Sequence, residues 1–447
     1  MEHIIDACST TLGILGKPKQ PNSALRLMKY CIPLQTEDGV LLFNLLTREL
    51  LLLTPEEYRT IFSSVYLRDH WFTVPEDLNE KELAELVRWV RTSLHKEPKH
   101  ITDYTILTTT DCNARCFYCY ERGCARIAMS QETAHKVVAY IRNRCGGNKV
   151  SITWFGGEPL VNFPVIDQIC EGLRAEGIDF EAQMISNAYL FTDEFVARAK
   201  EIWNIKKVQI TLDGTEEVYN RSKAFIYREG SAYQIVAGNI LRLLNADISV
   251  SIRLNMDLNN ADNLMDLAKE LAIRFKGQTK LHVYAHLLFD AEKPENERYT
   301  QEERTKLYDA LQRLEEALLS SGLSSASCSR LRRDLPLHHC MADSGSSVLI
   351  APDGHLGLCE HYVDREFFGH IDSPEQDKTM IDSWRQHCDP IAECDNCFYY
   401  PECIELRKCS GRTECSIHKR KRVRYNTEHA MLNEYRFWRS KIRQTAE

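Results

Sequence analysis

The chain has 447 residues, 43% hydrophobic and 27% charged, with a formal net charge of −8. These are globular proportions and speak against disordered and fibrous classes, while the negative balance speaks against a generic binder of phosphate backbones. At ~100–200 residues per domain the length predicts roughly two to four domains.

The first residues, Met1 to Gly16, lack a basic region and carry Asp6 within their apolar stretch, so they do not read as a secretory signal. The stretch Val40 to Leu53 is interrupted by Thr47-Arg48-Glu49 and is too short to span a bilayer. A cytoplasmic protein with no membrane partner is expected. In that compartment seventeen cysteines point to metal rather than to disulfides. Apolar segments at Leu27 to Leu34, Val40 to Leu46 and Leu50 to Thr54, with turn-like breaks between them, predict an antiparallel meander. A helix follows, opened by Asn79 with Glu82 as a capping signal and carrying Leu83, Leu86, Val87, Val90 and Leu94 at helical spacing. Residues 1–100 thus read as a small α+β unit that either merely packs or accepts a peptide as an added strand.

From Ile101 strands and helices alternate. Strands are predicted at Tyr104 to Thr109, Val150 to Phe155, Glu181 to Ser186, Val208 to Leu212, Ile248 to Asn255 and Leu281 to His286. Amphipathic helices are predicted at Ala134 to Ile141, Val165 to Leu173, Thr192 to Ala199, Ala232 to Leu243 and Ala261 to Leu271. This pattern means α/β architecture with parallel strands and crossovers, a partial (β/α)6 TIM-like barrel over residues 101–325 with functional loops at the carboxyl ends of its strands. A last helix from Glu302 to Leu319 has Thr300 and Glu303 as its capping pair. The Ser-rich stretch Ser320 to Ser327 marks a boundary. Residues 326–425 form a Cys-rich unit expected to be held by metal sites, and 426–447 a C-terminal helix or tail. The basic run Lys419-Arg420-Lys421-Arg422 reads as a solvated helix face, with no nucleic-acid partner.

The chemistry begins at Cys112, Cys116 and Cys119, directly after the first barrel strand. Three thiolates can hold three irons of a cubane cluster and leave the fourth open; a zinc knuckle or a redox site is the alternative for this stretch alone. Gly156-Gly157-Glu158-Pro159 ends the second strand, where glycines let the backbone approach a ligand closely. Ser186-Asn187, Gln209, Asp213-Gly214, Arg253 and Asn255 lie at or near later strand ends. Each could equally be an ordinary strand-end hydrogen-bonding residue.

The C-x3-C-x2-C spacing with Tyr118 before the last cysteine resembles the signature of radical S-adenosylmethionine (SAM) enzymes. The resemblance implies a 4Fe-4S cluster on Cys112, Cys116 and Cys119 whose open iron is chelated by SAM. It places Tyr118 near the adenine and the GGEP segment, Gly156, Gly157, Glu158 and Pro159, on the SAM amino group. Ser186, Asn187 and Gln209 resemble the family's SAM-contacting positions, and Arg253 is the cation for the carboxylate. Cys340, Gly354 and Cys359, then Cys394, Cys397 and Cys403, then Cys409 and Cys415, resemble a SPASM auxiliary-cluster domain with two further 4Fe-4S clusters. The family's scheme would give Cys340, Cys359 and Cys409 to the first and Cys394, Cys397, Cys403 and Cys415 to the second. Cys328, Cys388 or substrate would complete the first, and a pair of zinc ribbons is the other reading. The spacing before Cys409 and Cys415 departs from the family. Glu360, next to Cys359, stands where some sulfatase-maturing relatives have a catalytic aspartate, and is a candidate base with Asp213 second.

The N-terminal unit is similar to a RiPP recognition element, the module that captures the leader of a precursor peptide. Together these resemblances imply a radical SAM peptide maturase that forms a thioether or carbon–carbon crosslink, with a leader-bearing precursor peptide and an electron donor such as flavodoxin or ferredoxin as partners. The alternatives are an anaerobic sulfatase-maturing type of enzyme, a peptide epimerase and, outside enzymes, a zinc-bound peptide-binding scaffold.

Overall fold

The computed structural model describes all residues except 19–22, 95–97, 228–229, 289–294, 325–329, 410–414 and 447. Its central element is a sheet in the order β12-β11-β10-β9-β8-β7-β13-β14-β15. Strands β7 (Asp103–Thr109), β8 (Val150–Gly156), β9 (Phe180–Ser186), β10 (Ile205–Thr211), β11 (Ser249–Met256) and β12 (Leu281–Leu287) are all parallel. Crossover helices include α2 (Gln131–Arg144), α3 (Phe163–Ala175), α4 (Asp193–Glu201), α5 (Glu216–Lys223), α6 (Ala232–Asn245) and α7 (Ala261–Arg274). The sheet stays open, because β12 and β7 do not pair with each other. Helix α8 (Gln301–Ser320) packs on α7 and β12, and its capping box of Thr300 and Glu303 forms with both halves present.

Parallel strands covered on both faces read as continuous apolar runs, but these alternate. Tyr104 and Ile106, Val150 and Ile152, and Val250 and Ile252 are buried beneath the helices. Each such side chain contributes about 1.5–3 kcal/mol on burial. The opposite face carries Thr153 and Gln183, joined at 2.9 Å, and Gln209 and Tyr284, also joined at 2.9 Å. On the same face Leu107 and Phe155 pack with Leu349, Ala351 and Val363, so the barrel's interior is a polar trough beside a small apolar cluster.

The sheet does not end at β7. Strand β13 (Ser347–Ile350) runs parallel beside it, and β14 (His355–Gly357) and β15 (Gly369–His370) follow antiparallel. Gly354 turns the β13–β14 hairpin at φ 93°, where a Cβ would meet the His370 ring. The Cys-rich unit is therefore stitched to the barrel by backbone hydrogen bonds as well as by whatever its thiols hold.

At the front, β3 (Cys31–Gln35), β4 (Val40–Asn44) and β5 (Leu50–Leu53) form the expected meander. Strand β1 (Glu2–Ile5) adds antiparallel to β5, and β2 (Leu25–Leu27) pairs with β6 (Thr73–Pro75). Helix α1 (Glu80–Leu94) forms over the predicted stretch and buries Ala84 and Val87, with Leu83 packed against the core, whereas Leu86 and Leu94 are exposed. The meander's core continues into the C-terminal part through Leu331, Leu335, Tyr400, Met431 and Tyr435. Arg48, 1% exposed with φ 66°, pairs with Glu402 and donates to Arg332 O at 2.8 Å. Tyr400 donates to Glu85 at 2.9 Å, and Lys81 pairs with Asp395 at 2.7 Å. Residues 1–100 thus share one apolar core with the back of the chain.

The final helix, α9 (Ile417–Ala446), starts well before residue 426. Its basic run is only partly solvated: Lys421 is exposed, but Lys419 pairs with Glu405 and Arg422 with Glu315, all four half-buried, and Arg420 donates to Cys415 Sγ at 3.3 Å. Among the described residues no helix is long and apolar enough to cross a membrane.

Candidate active site

The cysteine loop follows β7 at the carboxyl end of the sheet. Asp111 accepts the Cys112 N–H at 2.8 Å, and Cys119 N–H closes onto Cys116 O at 3.3 Å. The Gly156–Glu158 segment lies directly across this loop. Gly157 N–H donates to Thr109 O at 3.0 Å and Glu158 N–H to Asp111 O at 2.9 Å. A Cβ at Gly156 would stand 2.1 Å from Thr109 O, and one at Gly157 2.2 Å from Asp111 O. The glycine pair is thus demanded by the approach of one loop to the other, before any ligand is considered.

Glu158 is fully buried and acts as a junction. Its Oε1 accepts from the Ser186 hydroxyl at 2.9 Å and the Leu160 N–H at 3.3 Å, and its Oε2 accepts from the Asn187 N–H at 2.8 Å. Burial pushes its carboxyl up to about 7 against the pull of those donors and of Lys223. Asn187 extends the network, donating to Asn113 at 2.7 Å and reaching Cys112 Sγ at 3.7 Å. Pro159 is buried and its carbonyl accepts from Thr108. Cys112, Glu158, Ser186 and Asn187 are therefore brought together, although they come from three successive strand ends.

A second junction joins Tyr118 and Asp213. The Tyr118 hydroxyl donates to Asp213 Oδ2, and Lys223 Nζ lies 2.7 Å from that hydroxyl and 3.1 Å from the carboxylate. Tyr118 and Asp213 line a cavity of about 410 Å³ together with Phe117, Asn255, Asp257 and Asn260. Gln209 and Arg253 stand apart on the trough: Gln209 accepts from Tyr284, and Arg253 Nη2 lies 3.0 Å from His286 Nδ1. Burial, and Arg253 after it, lower the His286 imidazole to about 4, so it is neutral near pH 7.

The C-terminal thiols fall into two groups. Burial raises Cys340 to about 11 and raises Cys359 as well, and each also feels Glu360 and Cys409, which puts Cys340, Cys359 and Cys409 within electrostatic reach of one another. Cys340 borders the polar trough in a cavity of about 370 Å³ that includes Thr153 and Gln183. Glu360 is half-buried beside Cys359 and His361, and the His361 and Tyr120 rings lie 5.0 Å apart. Cys394, Cys397, Cys403 and Cys415 border a separate cavity of about 650 Å³, which Cys388 and Arg88 also line. Cys388 therefore sits with the second group, and Cys328 lies outside the described residues.

The donor sets fit iron–sulfur chemistry. Each set is made of thiols, and a cubane takes its thiolates on different irons. Burial holds Cys112 at about 12 and Cys119 at about 11, so loading a cluster releases protons. Around the loop Asn113 Nδ2, Asp213 Oδ1 and Arg253 Nε are buried without a hydrogen-bond partner, as expected of a site that a polar ligand completes.

Residues 106–280 match the radical SAM superfamily. The chain carries a radical SAM domain. The match covers the cysteine loop and all but the last of the barrel's six parallel strands. An uncharacterized protein of Methanocaldococcus jannaschii is 32% identical over 110 residues, 24% of this chain and 37% of its own. An S-adenosylmethionine-dependent nucleotide dehydratase of a Thermoplasmatales archaeon is 26% identical over 106 residues, 24% of this chain and 36% of its own. The chain thus spans about a third of the length of the curated relatives it matches. Among solved structures, anSMEcpe with bound AdoMet matches with TM-score 0.57 at 16% identity, over 75% of this chain and 95% of that one. The same enzyme with AdoMet and Cp18Cys peptide matches with TM-score 0.56 at 17% identity, over 75% and 98%. These likenesses establish a shared fold extending beyond the radical SAM domain.

Sequence reasoning missed Lys223, Asn113 and His361. Lys223 ends a short helix, α5, that the strand–helix reading passed over, and nothing in a lone lysine signals burial.

Proposed function

We propose that this protein is a radical SAM peptide maturase that forms a thioether, or else a carbon–carbon crosslink, in a ribosomally made precursor. The observation that carries the reading is the arrangement of three cysteine groups. Cys112, Cys116 and Cys119 follow the carboxyl end of the first barrel strand, Cys340 borders the polar trough within electrostatic reach of Cys359 and Cys409, and Cys394, Cys397, Cys403 and Cys415 border a separate cavity. When bound, SAM on the first group's cluster supplies a 5′-deoxyadenosyl radical after one-electron reduction.

The chain's own residues bind, orient and seal. Glu158 would hold the SAM ammonium, with Ser186 and Asn187 fixing its carboxylate. Arg253 would meet the SAM carboxylate, and the cavity bounded by Tyr118, Asn255 and Asn260 would take the nucleoside. Glu360 is the preferred base for a substrate thiol, since it faces the Cys340 group, whereas Asp213 is already engaged by Lys223 and Tyr118. The trough's neutral hydroxyl and amide groups suit an extended peptide, and the fold likeness to a peptide-bound enzyme supports that substrate class.

The N-terminal unit would hold the leader. The outer edge of β3 is poorly suited to strand addition, because Pro33 has no N–H and the Cys31 N–H is spent on Met28 O. That favours the β1 side of the sheet.

Iron and sulfide analysis tests the scheme. Three cubanes mean about twelve irons per chain, and changing Cys112, Cys116 and Cys119 together to Ala should leave about eight. Zinc without sulfide would instead support the scaffold reading.

A further inference from the structure

We propose that Lys223 is an electrostatic positioning residue for the cluster on Cys112, Cys116 and Cys119: its buried ammonium makes that cluster easier to reduce and holds Tyr118 in place. The inference rests on the radical SAM reading of that loop and deepens it.

Lys223 is the last residue of α5, and the chain turns off at Ala224 in the left-handed region at φ 44°. Its side chain is 5% exposed. Its backbone and its side chain both engage the cysteine loop. The Lys223 carbonyl accepts the Arg115 N–H at 2.9 Å and lies 4.0 Å from Cys116 Sγ. Three residues later Ile226 N–H donates to Asn113 O at 2.9 Å. The ammonium meets the Tyr118 hydroxyl at 2.7 Å and Asp213 Oδ2 at 3.1 Å, and it also lies 5.4 Å from the centre of the Tyr118 ring. The hydroxyl can donate only to Asp213 while accepting from Lys223, so the ring has one orientation.

A lysine buried this deeply stays charged only because its neighbours outweigh the cost of burial. Desolvation acts against the ammonium, and the buried Asp213 carboxylate at 3.1 Å offsets that cost. In a low-dielectric site such a charge acts strongly. Reduction adds one negative charge to the cluster, and a fixed cation beside it favours the reduced state. Asp213 opposes that effect while holding the lysine in place, so the two residues must act with opposite sign.

The test is an anaerobic EPR-monitored redox titration of the loaded protein, with the signal assigned to this cluster by its change on adding SAM. Lys223→Met should shift the midpoint to a more negative potential, Lys223→Arg should stay near wild type, and Asp213→Asn should shift it to a more positive one. An unmoved midpoint in Lys223→Met, or a shift of Asp213→Asn in the same direction as Lys223→Met, overturns the inference. If Lys223→Met fails to hold the cluster, the sign of the Asp213→Asn shift decides alone. A wild-type protein with no SAM-responsive signal would instead bring down the functional reading itself.

Discussion

Asn187 donates its main-chain N–H to Glu158 Oε2 at 2.8 Å, and its side-chain amide reaches Cys112 Sγ at 3.7 Å. One residue at the end of the third barrel strand thus ties the GGEP carboxylate to the first thiol of the cysteine loop. Glu158 is pushed up to about 7 from 4.5 by burial. Between those values the folded chain keeps a proton that the unfolded chain has lost, so Glu158 subtracts stability as pH rises through that window. A ligand ammonium needs the ionised form. SAM affinity should therefore rise with pH below about 7, approaching tenfold per pH unit, and level off above it. Equilibrium binding to the loaded protein checks this, and Glu158→Gln should bind weakly with a flat profile.

The glycine pair makes a second, steric prediction. Gly157→Ala places a Cβ 2.2 Å from Asp111 O, and backbone cannot rotate away as a side chain can. A cost of at least about 1–3 kcal/mol is expected, with the cysteine loop displaced. Iron content after anaerobic reconstitution should fall by about four per chain, with the C-terminal thiols still loaded.

Much of this was legible beforehand, and the reasons are physical. The barrel strands could be read because apolar and polar residues alternate for a cause: helices cover one face and the trough the other. The GGEP glycines could be found, but their reason could not, since the loop they touch is forty-odd residues away and the clash is visible only in space. Lys223 was invisible because a charged residue in an eight-residue helix reads as surface. Leu86 and Leu94 show a related limit, since their spacing fits a helix but does not say which of its faces is covered.

The shared core carries a third prediction. Arg48 and Glu402 are buried at 1% and 11% exposure, and Arg48 also donates to Arg332 O. Arg48→Met leaves Glu402 without its partner and should cost about 3–5 kcal/mol in urea unfolding, whereas adding Glu402→Leu should recover much of it. Removing residues 1–100 would expose Leu331, Tyr400 and Met431. Truncation is therefore expected to aggregate the protein, and leader binding is better measured with point variants of β1.

The two C-terminal thiol groups should behave as separate sites. Cys340→Ala and Cys397→Ala should each remove about four irons without removing the other group's. Cys388→Ala should leave both counts unchanged if the four other thiols of its cavity suffice.

The most direct measurement of the central claim is anaerobic incubation of the reduced, fully loaded protein with SAM and a leader-bearing, cysteine-containing peptide deuterated along its core. The expected result is 5′-deoxyadenosine that carries deuterium, together with a peptide lighter by two hydrogens, one of them counted as deuterium, whose cysteine no longer alkylates. Deuterated 5′-deoxyadenosine with an unchanged cysteine would contradict the thioether assignment, and a peptide that never gives up its label would contradict the peptide maturase account as a whole.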